Sequence, residues 1–224
     1  MKLKKVTRQS PAQRGLWYAD GCGAAHALEL IGERWAPLVM RELMFGPRRF
    51  SELRAGLPGI SANVLTQRLA GLAAAGIVAR RRLPPPASAQ VYELTPWGYE
   101  AEPIFQVLGR WAARSPAHDP SLPISAATLM LSFRTMLDRE RARGIDAKIG
   151  FRCGEDVFVA HLSAAGIAIA RGAVEGAALI LSGEPAAIAA VVYGGRQLET
   201  IEWSGDGALA ARFVTLFPLP EKVP

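Results

Sequence analysis

"GISANVLTQRLAGLAAAGIVARRR", Gly59 to Arg82, decides how the first half of the chain is read. Ser61 has the side chain of a helix N-cap, and Leu65, Leu69 and Leu72 recur at helical steps to form one narrow apolar stripe. At about 100° per residue from Ser61, the leucines cluster at about 45°, whereas Asn63, Gln67, Ala70 and Ala74 fall at about 180° to 240°. The side turned away from the core thus carries two amides among small residues. Such a face lets the helix approach another surface closely. Asn and Gln can hydrogen-bond an adenine edge, and Thr66, at the margin, can touch a thymine methyl. Gly76 is a suitable C-terminal stop, and Arg80, Arg81 and Arg82 follow it.

The flanking segments extend the pattern. Upstream, "AAHALELIGERWAPLVMRELMFG" places Leu28, Ile31, Trp35, Leu38, Val39, Leu43 and Met44 at helical steps, with Gly32 as the break between two helices. Pro47 opens "RRFSELRAGLPG", which puts Phe50, Leu53 and Leu57 on one face. Downstream, "IVARRRL" and "QVYELT" read as two strands joined by "PPPASA", a loop too long for a tight turn. Thr95-Pro96 then starts a helix carrying Trp97, Ala101, Ile104, Leu108 and Trp111, which Pro103 is expected to bend.

Three helices followed by a two-stranded ribbon is the order of a winged helix-turn-helix, whose third helix enters the major groove of DNA. Ser61, Asn63, Thr66 and Gln67 are then the reading residues. Arg48, Arg49, Arg80, Arg81 and Arg82 are candidate phosphate contacts, with Arg80 and Arg82 on one face of a strand and Arg81 on the other. The competing reading is an alanine-rich face packed on a neighbour and arginines on a solvated surface. Charge placement favours DNA: Met1 to Ser115 carries 16 Lys and Arg against 8 Asp and Glu, and the remainder carries 10 against 12.

At 224 residues, half of them apolar, the chain is long enough for two domains with real cores. The proline-rich "ARSPAHDPSLP" is the clearest seam. It divides a domain at 1–114, a linker at 115–123 and a second domain at 124–224. The basic start, Met1 to Lys5, is not followed by the apolar run of a signal peptide, and no stretch approaches the length of a membrane helix, so a cytoplasmic protein without membrane association is expected. Cys22 and Cys153 lie too far apart in sequence to suggest a zinc site or a disulfide framework. His26, His118 and His161 have no metal-spaced partners, and no nucleotide-binding glycine loop is present. Neither a cofactor, a metal nor an enzymatic activity is expected.

The stretch from Leu28 to Trp111 also resembles the HxlR-type winged helix-turn-helix regulators. The resemblance rests on Cys22, Leu30 to Trp35, Gly46 to Leu53, Ile60 to Leu72 and Tyr92 to Gly98. It implies a homodimeric transcription factor that binds a double-stranded operator and pairs its subunits through the first and last helices. "PPPASA" departs from the polar or charged wing tip of relatives. Cys22 stands at the N-terminal cysteine position, where some members sense oxidants or electrophiles. It precedes a helix start and has His26 four residues on, so a reactive thiolate and a buried inert thiol are both open readings.

The second half reads as a helix over Ile124 to Gly144, then strands at "AKIGFRC", "VFVAHLS", "GIAIARG" and "AALILSG". A helix at "EPAAIAAVVYG", a strand at "LETIEWSG" and a closing amphipathic helix complete an α+β arrangement. This half resembles the sterol carrier protein type 2-like fold through Gly172 to Gly183, the helix after Glu184, and "IEWSGD" before the last helix. The resemblance implies an apolar ligand between sheet and helices, with Phe133, Met136, Phe213 and Phe217 as cavity walls; the competing reading has all four filling a core. The expected protein is therefore a DNA-binding regulator whose C-terminal domain takes a small apolar effector or lipid. The alternatives are a hydrophobic-ligand carrier that uses its winged helix for protein contact, and a regulator that senses oxidants through Cys22.

Overall fold

The computed structural model describes residues 18–85 and 88–224. The basic N-terminal start and the wing-tip residues Pro86 and Ala87 lie outside the described residues. The first half contains α1 (Gly23–Ile31), α2 (Ala36–Leu43), α3 (Phe50–Ala55) and α4 (Ala62–Ala74), then β1 (Val78–Arg82), β2 (Gln90–Leu94), α5 (Pro96–Tyr99) and α6 (Glu102–Ala113). Gly32 ends α1, as its position in the sequence suggests. The single helix expected after Thr95 is two. Thr95 caps α5 by accepting from the Gly98 N–H, and Pro103 sits in the first turn of α6, where its missing donor costs nothing.

Leu53, Leu57, Leu65, Leu69 and Leu72 meet Val39, Met40 and Leu43 of α2 in the core. Two glycines shape the entry to α4 and its exit. Gly59 (φ 89°) turns the chain between α3 and α4, and Gly76 (φ 74°) turns it out of α4 into β1, both in the left-handed region that glycine enters without steric cost. β1 and β2 pair antiparallel from Val78 opposite Leu94 to Arg82 opposite Gln90. Arg48 adds an isolated bridge to Tyr92, so the wing root has a third, one-residue strand.

The second half begins with α7 (Ala126–Met136) and continues through β3 (Ala147–Cys153), β4 (Asp156–Ser163), β5 (Gly166–Arg171), β6 (Leu179–Ser182), α8 (Pro185–Val192), β7 (Glu202–Gly205) and α9 (Gly207–Phe213). α7 stops eight residues before the expected Gly144, because Leu137 turns extended (φ −54°, ψ 122°) and the Asp138 N–H donates to the Leu216 carbonyl. The sheet order is β5-β4-β3-β6-β7; β3 and β6 run parallel and every other pair antiparallel. Ile149, Phe151, Phe158, Ala160 and Leu162 are buried, while Lys148, Arg152, Val157 and His161 are exposed. One face of the β3-β4 ladder is thus covered and the other wet. Phe133 of α7 and Phe213 of α9 both contact Phe151, which places these helices on the covered face.

The two halves share one continuous apolar core. Phe45, just after α2, meets Phe158 of β4 edge to face at 5.6 Å. The segment at 115–123 is held by the C-terminal tail: the Val223 N–H donates to Arg114, and Lys222 Nζ donates to the Ser115 and His118 carbonyls.

Candidate DNA interface

α4 is thirteen residues, about 20 Å, long at 1.5 Å per residue. Ser61 Oγ accepts from the Val64 N–H (3.2 Å), which satisfies one of the free donors of the first turn. Leu65, Leu69 and Leu72 are buried, and Asn63, Thr66, Gln67, Ala70 and Ala74 are exposed. The periodicity therefore assigns the correct face. Asn63 and Gln67, one turn apart, are spaced about 6 Å along the axis, less than two base steps of about 3.4 Å. Thr66 Oγ1 donates back to the Ala62 carbonyl (2.9 Å), which commits its hydroxyl hydrogen to the helix while the residue stays exposed. Arg68 is bound to the protein, through Glu33 (2.9 Å) and the Arg34 carbonyl.

The arginines divide into free and engaged. Arg49, at the N-cap of α3, and Arg82, at the end of β1, are exposed and make no ion pair among the described residues. Arg80 bonds the Gln90 side chain. Arg81 pairs with Glu93 (2.9 Å) across the ribbon while staying half-exposed, so part of its charge is already matched. Arg48 turns inward instead. Its Nη1 and Nη2 grip Asp156 at the start of β4 (2.8 and 2.9 Å), and Arg171 of β5 donates to the same carboxylate. In this arrangement Arg48 is a tie between halves rather than a phosphate contact, and no local feature of "GPRRF" marks it as one, since its partner lies 108 residues on.

Comparison with known proteins bears on the same region. The HxlR-like helix-turn-helix family model matches residues 30–119. YvaP of Bacillus subtilis, described as an uncharacterised HTH-type transcriptional regulator, is 36% identical over 86 residues, 38% of this chain and 80% of its own. The HTH-type transcriptional regulator YodB of the same organism is 38% identical over 86 residues, 38% of this chain and 77% of its own. The chain belongs to the HxlR-like helix-turn-helix family. Among solved structures, the reduced form of YodB is 35% identical, covers 44% of this chain and 98% of its own, and has a TM-score of 0.40. The redox regulator HypR in its oxidised form is 32% identical, covers 41% and 94%, and has a TM-score of 0.38.

In this HxlR-like chain the two thiols differ sharply. Cys22 is exposed at the N-cap of α1, and the backbone N–H groups of Ala25 and Ala24 hold its thiol below the ordinary value by favouring the thiolate. His26 points its ring at Glu29 (3.4 Å), so the helix start rather than the imidazole acts on the sulfur. Cys153 is buried in β3, and desolvation pushes it up to about 12.

The residues expected to wall an apolar cavity are packed against one another. Phe133 stands 4.7 Å from Phe217 and 5.6 Å from Phe213, and the latter two are 4.9 Å apart. These rings fill the space they border, so the core-filling reading holds for the three phenylalanines. Met136 borders a cavity bounded by α6, α7 and α8. The sequence reading misses two further polar features. Glu42 of α2 is buried and accepts from Arg41 and from Ser125 Oγ (2.6 Å) at the cap of α7; Arg134 of α7 pairs with Glu102 of α6 (2.6 Å) and lies over the Phe45 ring. Among the described residues no group of three or more His, Cys, Asp or Glu could hold a metal, and no helix is long and apolar enough to cross a membrane.

Proposed function

We propose that this protein is a homodimeric regulator of transcription that lays α4 in the major groove of an operator. The observation that carries this reading is the exposed face of α4, where Asn63, Thr66 and Gln67 stand among alanines opposite the buried leucines. Arg49 and Arg82, with Arg80 and Arg81 beside them, supply phosphate contacts on either side. α6 supports the dimer. Ile104, Val107, Leu108 and Trp111 are all at least half exposed along one side of it, a patch that a monomer in water rarely leaves open. Two-fold symmetry then calls for two half-sites about one helical turn apart. The C-terminal half, tied to the reader through Asp156, Ser125 and Arg134, acts as the effector domain.

Variants separate reading from holding. Gln67→Ala is expected to cut the preference for operator over random duplex by about 5- to 100-fold, the worth of a bidentate base contact. Arg82→Ala should weaken both duplexes alike and shallow the salt dependence by about one counterion. Unchanged discrimination in Gln67→Ala would place the reading face elsewhere.

A second reading, thiol control of DNA release, is favoured by Cys22. Its sulfur is exposed and activated by a helix start, and the related HypR is described as a redox regulator. Cys22→Ser is expected to keep DNA binding and to lose release by diamide; release that persists in this variant removes the reading.

A further inference from the structure

We infer that the half-open cavity bounded by α6, α7, α8 and the 115–123 segment is the effector site, and that it takes a compact neutral molecule, apolar over most of its surface, that donates hydrogen bonds through O–H or N–H groups. The inference rests on the reading of the chain as a regulator only for the word effector; the site stands on its own geometry. Its volume is about 290 Å³, that of about ten waters at liquid density, which suits a molecule of one or two rings.

The walls are mainly apolar, with Phe105 and Ala113 of α6, Leu131 and Met136 of α7, and Leu219 of the tail. Polar groups come chiefly from one side, and a count of their hydrogens fixes what they can do. Ser132 Oγ donates to the Leu129 carbonyl (2.7 Å), so in its contact with Tyr193 (2.7 Å) the phenol must be the donor. Ser125 Oγ donates to Glu42, so Thr128 must donate to Ser125 (2.9 Å). Thr135 Oγ1 donates to the Leu131 carbonyl (2.7 Å). Every hydroxyl hydrogen on this wall is therefore committed to the protein, and the oxygens of Thr128, Thr135 and Tyr193 keep only acceptor lone pairs for a guest. Burial pushes the Tyr193 phenol further above its ordinary value, so it stays neutral. Arg41, also on the wall, gives its Nε and Nη2 to the buried Glu42 carboxylate (3.1 and 2.8 Å), so its charge is matched and an anion gains little there; its remaining N–H groups and His118, which also lines the cavity, are the donors outside the hydroxyl set.

The position of the cavity couples it to the reader. α6 presents Phe105, Gly109 and Ala113 to the guest, and Ile104, Val107, Leu108 and Trp111 on its exposed side. A molecule that moves α6 moves the surface on which the dimer rests.

The test uses the full chain and 2-naphthol, a two-ring fluorophore with one O–H donor, against 2-methoxynaphthalene, which has none. Saturable binding of 2-naphthol is expected, about tenfold tighter than the ether, the worth of one hydrogen bond. Tyr193→Phe should bring the two probes to near equality. Gly109→Leu is the occluding variant. A Cβ there meets nothing within 4 Å, and replacing glycine inside a helix favours folding, so it should melt no lower than wild type while losing the probe. Probe binding unaltered in Gly109→Leu, or no preference for the naphthol, overturns the site. Duplex affinity is measured in parallel: if saturating probe leaves it unchanged, the effector role is wrong. Probe binding by a protein that binds no duplex would contradict the DNA reading while leaving the site standing.

Discussion

Asp156→Ala is expected to lower the free energy of unfolding by about 3–5 kcal/mol, the range for removing one partner of a buried ion pair. The carboxylate is the only acceptor among the described residues that Arg48 and Arg171 share, and all three side chains are mostly buried. Without it, two guanidinium groups face each other at the junction of the halves. The cluster has no slack, since Arg48 Nε and both Nε and Nη2 of Arg171 already lack hydrogen-bond partners. Desolvation, with the neighbouring Arg48 charge, already pushes Arg171 below its ordinary value, and Asp156 is the main opposing influence. Urea unfolding of the variant checks the figure, and a loss below about 1 kcal/mol would show the cluster to be as weak as a surface pair. The effect should reach the wing. The backbone of Arg48 exchanges two hydrogen bonds with Tyr92 of β2 (2.9 and 2.8 Å), so loosening its side chain loosens the root of the ribbon.

Trp111→Glu is expected to leave the monomer folded and to abolish the dimer. Trp111 is 71% exposed, so little of the monomer's core depends on it, whereas a carboxylate in a symmetric apolar contact meets its own copy across the two-fold axis. Losing the second half-site removes the gain from linked binding, about 100-fold or more in duplex affinity. Sedimentation of the variant alone and a duplex titration check the two parts separately. A Trp111→Glu protein that stays dimeric with full affinity would move the interface off α6.

The residues of α4 are legible because the helical period is local. Three leucines and a capping serine fix which side is buried, and the exposed side follows. The ribbon is legible for the same reason, since Pro and Gly mark its ends. Arg48 is not, because its neighbours are a proline and one more arginine, whereas its role is set by Asp156 and Arg171 on strands of the other half. α7 shows the same limit: nothing in "LDRERARG" forbids a helix, and the chain leaves it at Leu137 because Leu216 offers a carbonyl there. The phenylalanines are legible as apolar positions but not as filled or empty space, which depends on which rings meet. That the cavity's hydroxyls can only accept depends on hydrogens donated to Glu42 and to helix carbonyls, and such an inventory exists only once the side chains are placed.

The most direct test of the central claim is a selection of duplexes from a random pool by the wild-type protein, followed by titration of the selected and a scrambled duplex as salt rises. The account predicts a two-fold symmetric winner with half-sites about 10 base pairs apart, bound at least about a thousandfold tighter than the scrambled sequence. Both affinities should fall steeply between about 50 and 200 mM salt. A pool that yields no common sequence, or binding indifferent to salt, would contradict the assignment of α4 as a DNA reader.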